Sequence, residues 1–114
     1  MSFDRALQRL QDIRNNILYA RRFIGTLTFE EFASSELVVY ATIRALEIIS
    51  EASRHLPEEL KARHPDIDWV AVRDSGNVYR HGYELVTERR IWDTVTKHLG
   101  DLECVVIEEI ERPK

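Results

Sequence analysis

One stretch of this sequence concentrates the residue types that handle phosphate: Trp69-Val70-Ala71-Val72-Arg73-Asp74-Ser75-Gly76-Asn77-Val78-Tyr79-Arg80-His81-Gly82-Tyr83. Arg73, Asn77 and His81 recur at four-residue steps, so a helix through them stacks all three on one face. Histidine titrates near neutrality and can give or take a proton at cellular pH. Arginine grips a phosphate in a fork and stabilises charge that grows on it. On RNA this pairing would help a ribose 2′-OH attack its own phosphate without a metal. Arg80 adjoins His81, and Asp74 and Tyr83 flank the group. Gly82 can release the chain from helical geometry and turn Tyr83 back toward His81. A plainer meaning stays open at this level: a solvated basic helix end with a cap histidine.

The remaining candidates carry less chemistry. His55 and His64 stand close before prolines at expected helix ends, which suits cap or surface roles. His98 falls near a helix C-terminus, where the dipole favours a cation. Cys104 lies in an apolar helix and reads as packing. No pair of Cys, His or acidic residues has metal-ligand spacing, and no glycine-rich phosphate loop occurs. The expectation is a chain with no metal and no cofactor.

The elements that must hold the polar stretch are helices. Gly and Pro number only 4 and 3, leaving room for long uninterrupted runs. Leu10, Ile13, Ile17, Ala20 and Ile24 recur at three- and four-residue steps and predict a helix from Phe3 to Ile24, capped by Gly25. Thr28-Phe29-Glu30-Glu31 reads as a capping box. A second long helix is predicted over Glu36 to His55, burying Val38, Ala41, Ala45, Ile48 and Ala52, with Leu37, Leu46 and Ile49 beside them. Pro57 stops it and opens a short turn as first helical residue, which Pro65 ends. Asp68 caps a third major helix beginning at Trp69 and running toward Gly82. Thr87 is the expected cap of a further helix through Ile91, Trp92, Val95 and Leu99, bent at Gly100 and continued by Leu102, Val105, Val106 and Ile110.

These elements predict an all-α antiparallel bundle of four to five helices, a single domain over residues 1–114. Hydrophobic residues at 44% and charged residues at 32% fit a folded soluble protein. One cysteine permits no internal disulfide, and no apolar leader or spanning stretch appears, so the cytoplasm is the expected compartment and no membrane partner is expected. A net charge of −4 argues against broad capture of nucleic acid, so any such contact needs a local basic patch.

With its residues laid out, the chain resembles the HepT-like proteins of the HEPN superfamily. The resemblance runs through Thr28-Phe29-Glu30-Glu31-Phe32, Arg44-Ala45-Leu46-Glu47-Ile48-Ile49-Ser50-Glu51-Ala52, Trp69, Gly76-Asn77-Val78-Tyr79-Arg80-His81-Gly82-Tyr83 and Ile91-Trp92. It implies a helical homodimer with a composite cleft at the interface. It implies a metal-independent endoribonuclease toxin acting on RNA and paired with a MntA-type minimal nucleotidyltransferase antitoxin. That partner attaches AMP to the tyrosine two residues after the motif histidine, which here is Tyr83. A bulky anionic group there would crowd the histidine and repel an RNA phosphate.

The sequence departs from the family at one point. The motif arginine stands four to six intervening residues before the histidine, and here those positions are Gly76, Ser75 and Asp74. Arg73 lies eight helical steps from His81, a rise of about 12 Å with a rotation of roughly 80°. Arg80 is adjacent but offset by about 100°. Two readings follow. In one, His81 is the general acid or base of a type VII-like toxin, Arg80 and Arg73 hold the phosphate, Asn77 orients histidine or substrate, and Tyr83 is the AMP-modified switch. In the alternative, the chain is a non-catalytic HEPN dimer that binds and regulates a partner nucleotidyltransferase.

Overall fold

In the computed structural model, Leu10, Ile13, Ile17, Ala20 and Ile24 all fall on the buried side of one helix, α1 (Phe3–Ile24), as their spacing predicts. The structure describes the backbone of residues 3–81 and 84–113, and the side chains of 5–75 and 88–113. Gly25 ends α1 with φ 51°, its N–H donating to the Arg21 carbonyl at 2.8 Å. Only glycine adopts that left-handed geometry without penalty, so Gly25→Ala is expected to cost about 1 kcal/mol, read as a lowered thermal midpoint.

The capping box forms as expected. The Glu31 N–H donates to Thr28 Oγ1 at 3.1 Å, and the Thr28 N–H donates to the Glu31 carboxylate at 2.8 Å. It opens α2 (Phe29–Ala33), which drives Phe32 into the core with no exposed surface. Ser35 then caps α3 (Glu36–Arg54), accepting from the Val38 N–H.

The buried line of α3 differs from the one its spacing suggested. Val39, Thr42, Ala45, Leu46, Ile49 and Ala52 are buried, whereas Val38, Ala41 and Ile48 are half-buried and Leu37 is 80% exposed. The reason is compositional. Apolar residues run nearly all round this helix, so period alone does not select a face. Neighbours choose it, and α3 lies between α1 on one flank and α5 on the other.

Pro57 caps α4 (Glu58–Ala62) from outside rather than serving as its first residue, and the helix ends before Pro65. The Asp68 carboxylate accepts from the Ala71 N–H at 3.0 Å and starts α5 (Trp69–His81). The Trp69 indole N–H donates to the carbonyls of Lys61 and His64, tying the start of α5 to the end of α4. Ser50 Oγ donates to the Arg73 carbonyl at 2.6 Å. That bond joins the last turns of α3 to the first turns of α5, so α5 runs back along α3.

The C-terminal arm consists of α6 (Glu84–Asp93), a π-helical turn (Thr94–His98) and α7 (Leu99–Glu111). Thr87 lies inside α6, not at its cap, because Glu84, Leu85 and Val86 already carry the helix. The irregularity expected at Gly100 falls earlier, in the π turn. There the hydroxyls of Thr94 and Thr96 bond back to the carbonyls of Arg90 and Trp92, which loosens the regular ladder. The helix continues past His98 into α7, so His98 does not sit at a free C-terminus. Cys104 is exposed rather than packed.

Arg21 near the end of α1 pairs with Glu103 near the start of α7 at 2.6 Å, so α7 lies antiparallel on α1. The core thus forms between a layer of α1, α3 and α5 and the C-terminal arm. Among the described residues there is no strand. No described helix is long and apolar enough to cross a membrane.

Candidate active site

The polar stretch singled out by the sequence lies on α5, whose helical backbone continues unbroken from Trp69 to His81. Val72 packs against the core, while Val70, Arg73 and Asp74 are exposed. At about 100° per residue, the positions of Asn77 and His81 continue the line of Val70 and Asp74, on the side of α5 away from Val72. The side chains of Asn77, Arg80 and His81 lie outside the described residues. So do Gly82 and Tyr83, and with them the expected turn of Tyr83 back toward His81.

Arg73 is described, and it is engaged. Its Nε donates to Asp74 Oδ1 at 2.9 Å and its terminal nitrogen to Oδ2 at 3.4 Å. The hydrogen bond from Arg73 holds the Asp74 carboxyl below the usual carboxylate range. Both side chains are about half exposed, so the pair is readily exchanged for a stronger anion. Arg73 therefore reaches a phosphate only by leaving Asp74.

The inner face of α5 borders a cleft of about 200 Å³ walled by Leu46, Ile49, Val72, Leu99 and Leu102. Its lining is mostly apolar, which suits packing more than phosphate. α6, which follows the His81–Tyr83 stretch, is anchored on α2. Trp92 meets Phe32 at 5.5 Å and Phe29 edge-on at 5.8 Å, and the Arg89 guanidinium stacks over Phe29 at 3.7 Å. These contacts fix the arm that follows the His81–Tyr83 stretch.

A second polar cluster was not visible in the sequence. Arg63 makes two hydrogen bonds to Glu109, at 2.7 and 3.1 Å, and His64 Nε2 bonds the same carboxylate. The Glu109 side chain is 2% exposed. His64, expected in a cap or surface role, is 10% exposed and belongs to this buried network. His55, by contrast, is the exposed C-cap of α3 and pairs with Glu51. With Glu108, the His64 and Glu109 ligand atoms come within 4.8 Å of one another. Arg63 already satisfies both Glu109 oxygens, so the cluster reads as an ion-pair clamp from α4 to α7.

The clamp predicts a pH dependence. Hydrogen bonds from Arg63 hold Glu109 below its ordinary value of 4.5, against the opposing effect of burial, with His64 adding to the lowering. A depressed carboxylate contributes its stability fully above the ordinary range and loses it as pH falls through the folded value. The thermal midpoint should fall from about pH 5 downward, and Glu109→Gln should flatten that fall. At neutral pH the substitution is expected to cost about 2–3 kcal/mol, because it leaves the partly buried Arg63 guanidinium without its anion.

Comparison with known proteins bears on what such a chain does. Residues 6–109 match the family described as "Ribonuclease HepT-like". The "Probable ribonuclease HepT" of Thermococcus cleftensis is 36% identical over 93 residues, covering 82% of this chain and 84% of that protein. A "Putative RNase" of Caldanaerobacter subterraneus subsp. tengcongensis is 33% identical, over 77% of this chain and 79% of its own. Another protein of that name, from Methanocaldococcus jannaschii, is 32% identical, over 89% and 83%. No solved structure gives a significant match.

Proposed function

The chain belongs to the HepT-like ribonuclease family, and on that footing we propose that it is a metal-independent endoribonuclease, the toxin of a toxin–antitoxin pair in the cytoplasm. The observation that carries this reading is the family match across residues 6–109, which includes the α5 line ending at His81. In the proposed reaction the ribose 2′-oxygen bonds to the adjacent phosphorus and the bond to the 5′-oxygen breaks. The products are a 2′,3′-cyclic phosphate and a 5′-hydroxyl. One imidazole takes the 2′-OH proton and another gives a proton to the leaving oxygen. A homodimer with a composite cleft would supply both from its two copies of His81. Arg80, with Arg73 once released from Asp74, would neutralise the phosphate, and Asn77 would orient the histidine or the substrate.

Tyr83 is the proposed switch. Adenylation by a MntA-type nucleotidyltransferase would place a bulky anion two residues from His81. Incubating the chain with such a partner and ATP should add AMP to the Tyr83 peptide, by mass spectrometry, and silence cleavage. Tyr83→Phe should escape both effects. Modification at another residue, or silencing of the Tyr83→Phe variant, would remove this part of the reading.

One observation favours a second reading, a non-catalytic dimer that binds and regulates the nucleotidyltransferase. Arg73, the one described arginine of the proposed site, is already committed to Asp74. Stable complex formation with the partner by a chain that never cuts RNA would support it.

A further inference from the structure

We propose that Ser50 is a positioning residue: its hydroxyl, through the Arg73 carbonyl, sets where α5 carries His81. The proposal rests on the ribonuclease reading and deepens it by naming a side chain, on a different helix, that the reaction needs.

Ser50 is a buried residue of α3, 4% exposed. Serine is a poorer helix former than alanine, and a hydroxyl taken out of water must be bonded. The other two buried hydroxyls of α3 return to their own helix. Thr42 donates to the Val38 carbonyl and Ser53 to the Ser50 carbonyl. Ser50 instead donates across to α5, to the Arg73 carbonyl at 2.6 Å. In an α-helix that carbonyl already accepts the N–H four residues on, at Asn77. Ser50 takes its second lone pair. The bond is therefore not needed to satisfy α5. What it adds is a fixed distance between two helices.

That distance has leverage on the site. α5 is tied at Trp69, whose indole donates to the carbonyls of Lys61 and His64, and again at Arg73. On the side of the C-terminal arm, Ala71, Val72 and Ser75 border the cleft of about 200 Å³ that separates them from Thr94, Leu99 and Leu102, which leaves α5 room to shift. Arg73 lies four residues beyond Trp69 and His81 twelve, rises of about 6 and 18 Å. A shift of about 0.5 Å at Arg73, pivoting at Trp69, grows to about 1.5 Å at His81. A misplacement of about 1 Å can cost about 10²-fold in rate. Proton transfer needs heavy atoms within hydrogen-bond reach, whereas the attraction of an arginine for a phosphate fades only gradually with distance. Loss of the Ser50 bond should therefore lower kcat and leave KM nearly unchanged.

Cleavage of tRNA in EDTA by the parent, Ser50→Ala, Ser50→Thr and Ser50→Val tests this, with amide hydrogen exchange followed in each chain. Threonine and valine have the same shape, so their difference reports the hydroxyl and not the added methyl. Ser50→Ala should lower kcat roughly 10- to 100-fold, with KM within about twofold of the parent's. Ser50→Thr should exceed Ser50→Val in kcat by about tenfold. Exchange across residues 73–81 should quicken about tenfold in Ser50→Ala and Ser50→Val, while that of α1 stays parental. Parental kcat in Ser50→Ala, or equal kcat in the threonine and valine chains, overturns the proposal. So does a loss of rate that lies in KM. A Ser50→Ala chain that fails to fold leaves the threonine and valine pair to decide. Unaltered exchange overturns the proposal whether or not the parent cuts. Exchange that follows the prediction, in a parent that never cuts, removes the ribonuclease reading alone.

Discussion

Replacing His81 with alanine is expected to slow RNA cleavage by about 10²- to 10⁴-fold, the usual contribution of a positioned acid or base. The fold should survive, because the His81 position falls on the α5 line away from Val72 and the core. A His81→Ala variant that keeps the parent's thermal midpoint and loses its rate separates chemistry from folding. Arg73→Gln should cost less, since Arg73 is held by Asp74 and stands two helical turns away. Asp74→Asn supplies the complementary arm. If Arg73 contributes once released, removing its carboxylate partner should raise the rate, and adding Arg73→Gln should cancel that gain. A His81→Ala variant that cuts at the parental rate would take the histidine out of the mechanism.

The second large effect is structural. Phe32→Ala is expected to cost about 3–5 kcal/mol, the range for emptying a fully buried aromatic site. Phe32 has no exposed surface and meets Trp92 at 5.5 Å. It links the capping box of α2 to α6, the helix that follows the His81–Tyr83 stretch. For a domain near this size the loss corresponds to a fall in thermal midpoint of roughly 15–30 °C. Calorimetry should show it, and activity at low temperature should fall less than stability, since Phe32 touches no substrate in this account. A drop of only a few degrees would mean that α2 is not part of the cooperative core.

Much of the frame was legible because its signals are local. The stripe from Leu10 to Ile24, the reciprocal cap of Thr28 and Glu31, and Asp68 before Trp69 each need only a few neighbouring residues, and each forms as expected. The buried face of α3 was not legible, because apolar residues nearly encircle it and the packing of α1 and α5 decides. Thr87 looked like a cap because threonine favours caps, but Glu84 and Leu85 extend the helix before it. The clamp on Glu109 joins residues 45 and 46 positions apart, a distance at which no spacing rule operates. In the candidate site, the four-residue steps of Arg73, Asn77 and His81 do lie on one helix. The commitment of Arg73 to its neighbour Asp74 depends on rotamers, which composition does not encode.

The central claim, a ribonuclease that needs no metal, is tested most directly by the ends of its products. Unmodified chain is incubated with tRNA in EDTA, and the fragments are analysed for terminal chemistry. The account predicts cleavage that survives chelation and leaves 2′,3′-cyclic phosphate and 5′-hydroxyl ends. Cleavage that stops in EDTA, or no cleavage by a chain whose Tyr83 is shown by mass spectrometry to be unmodified, would contradict it.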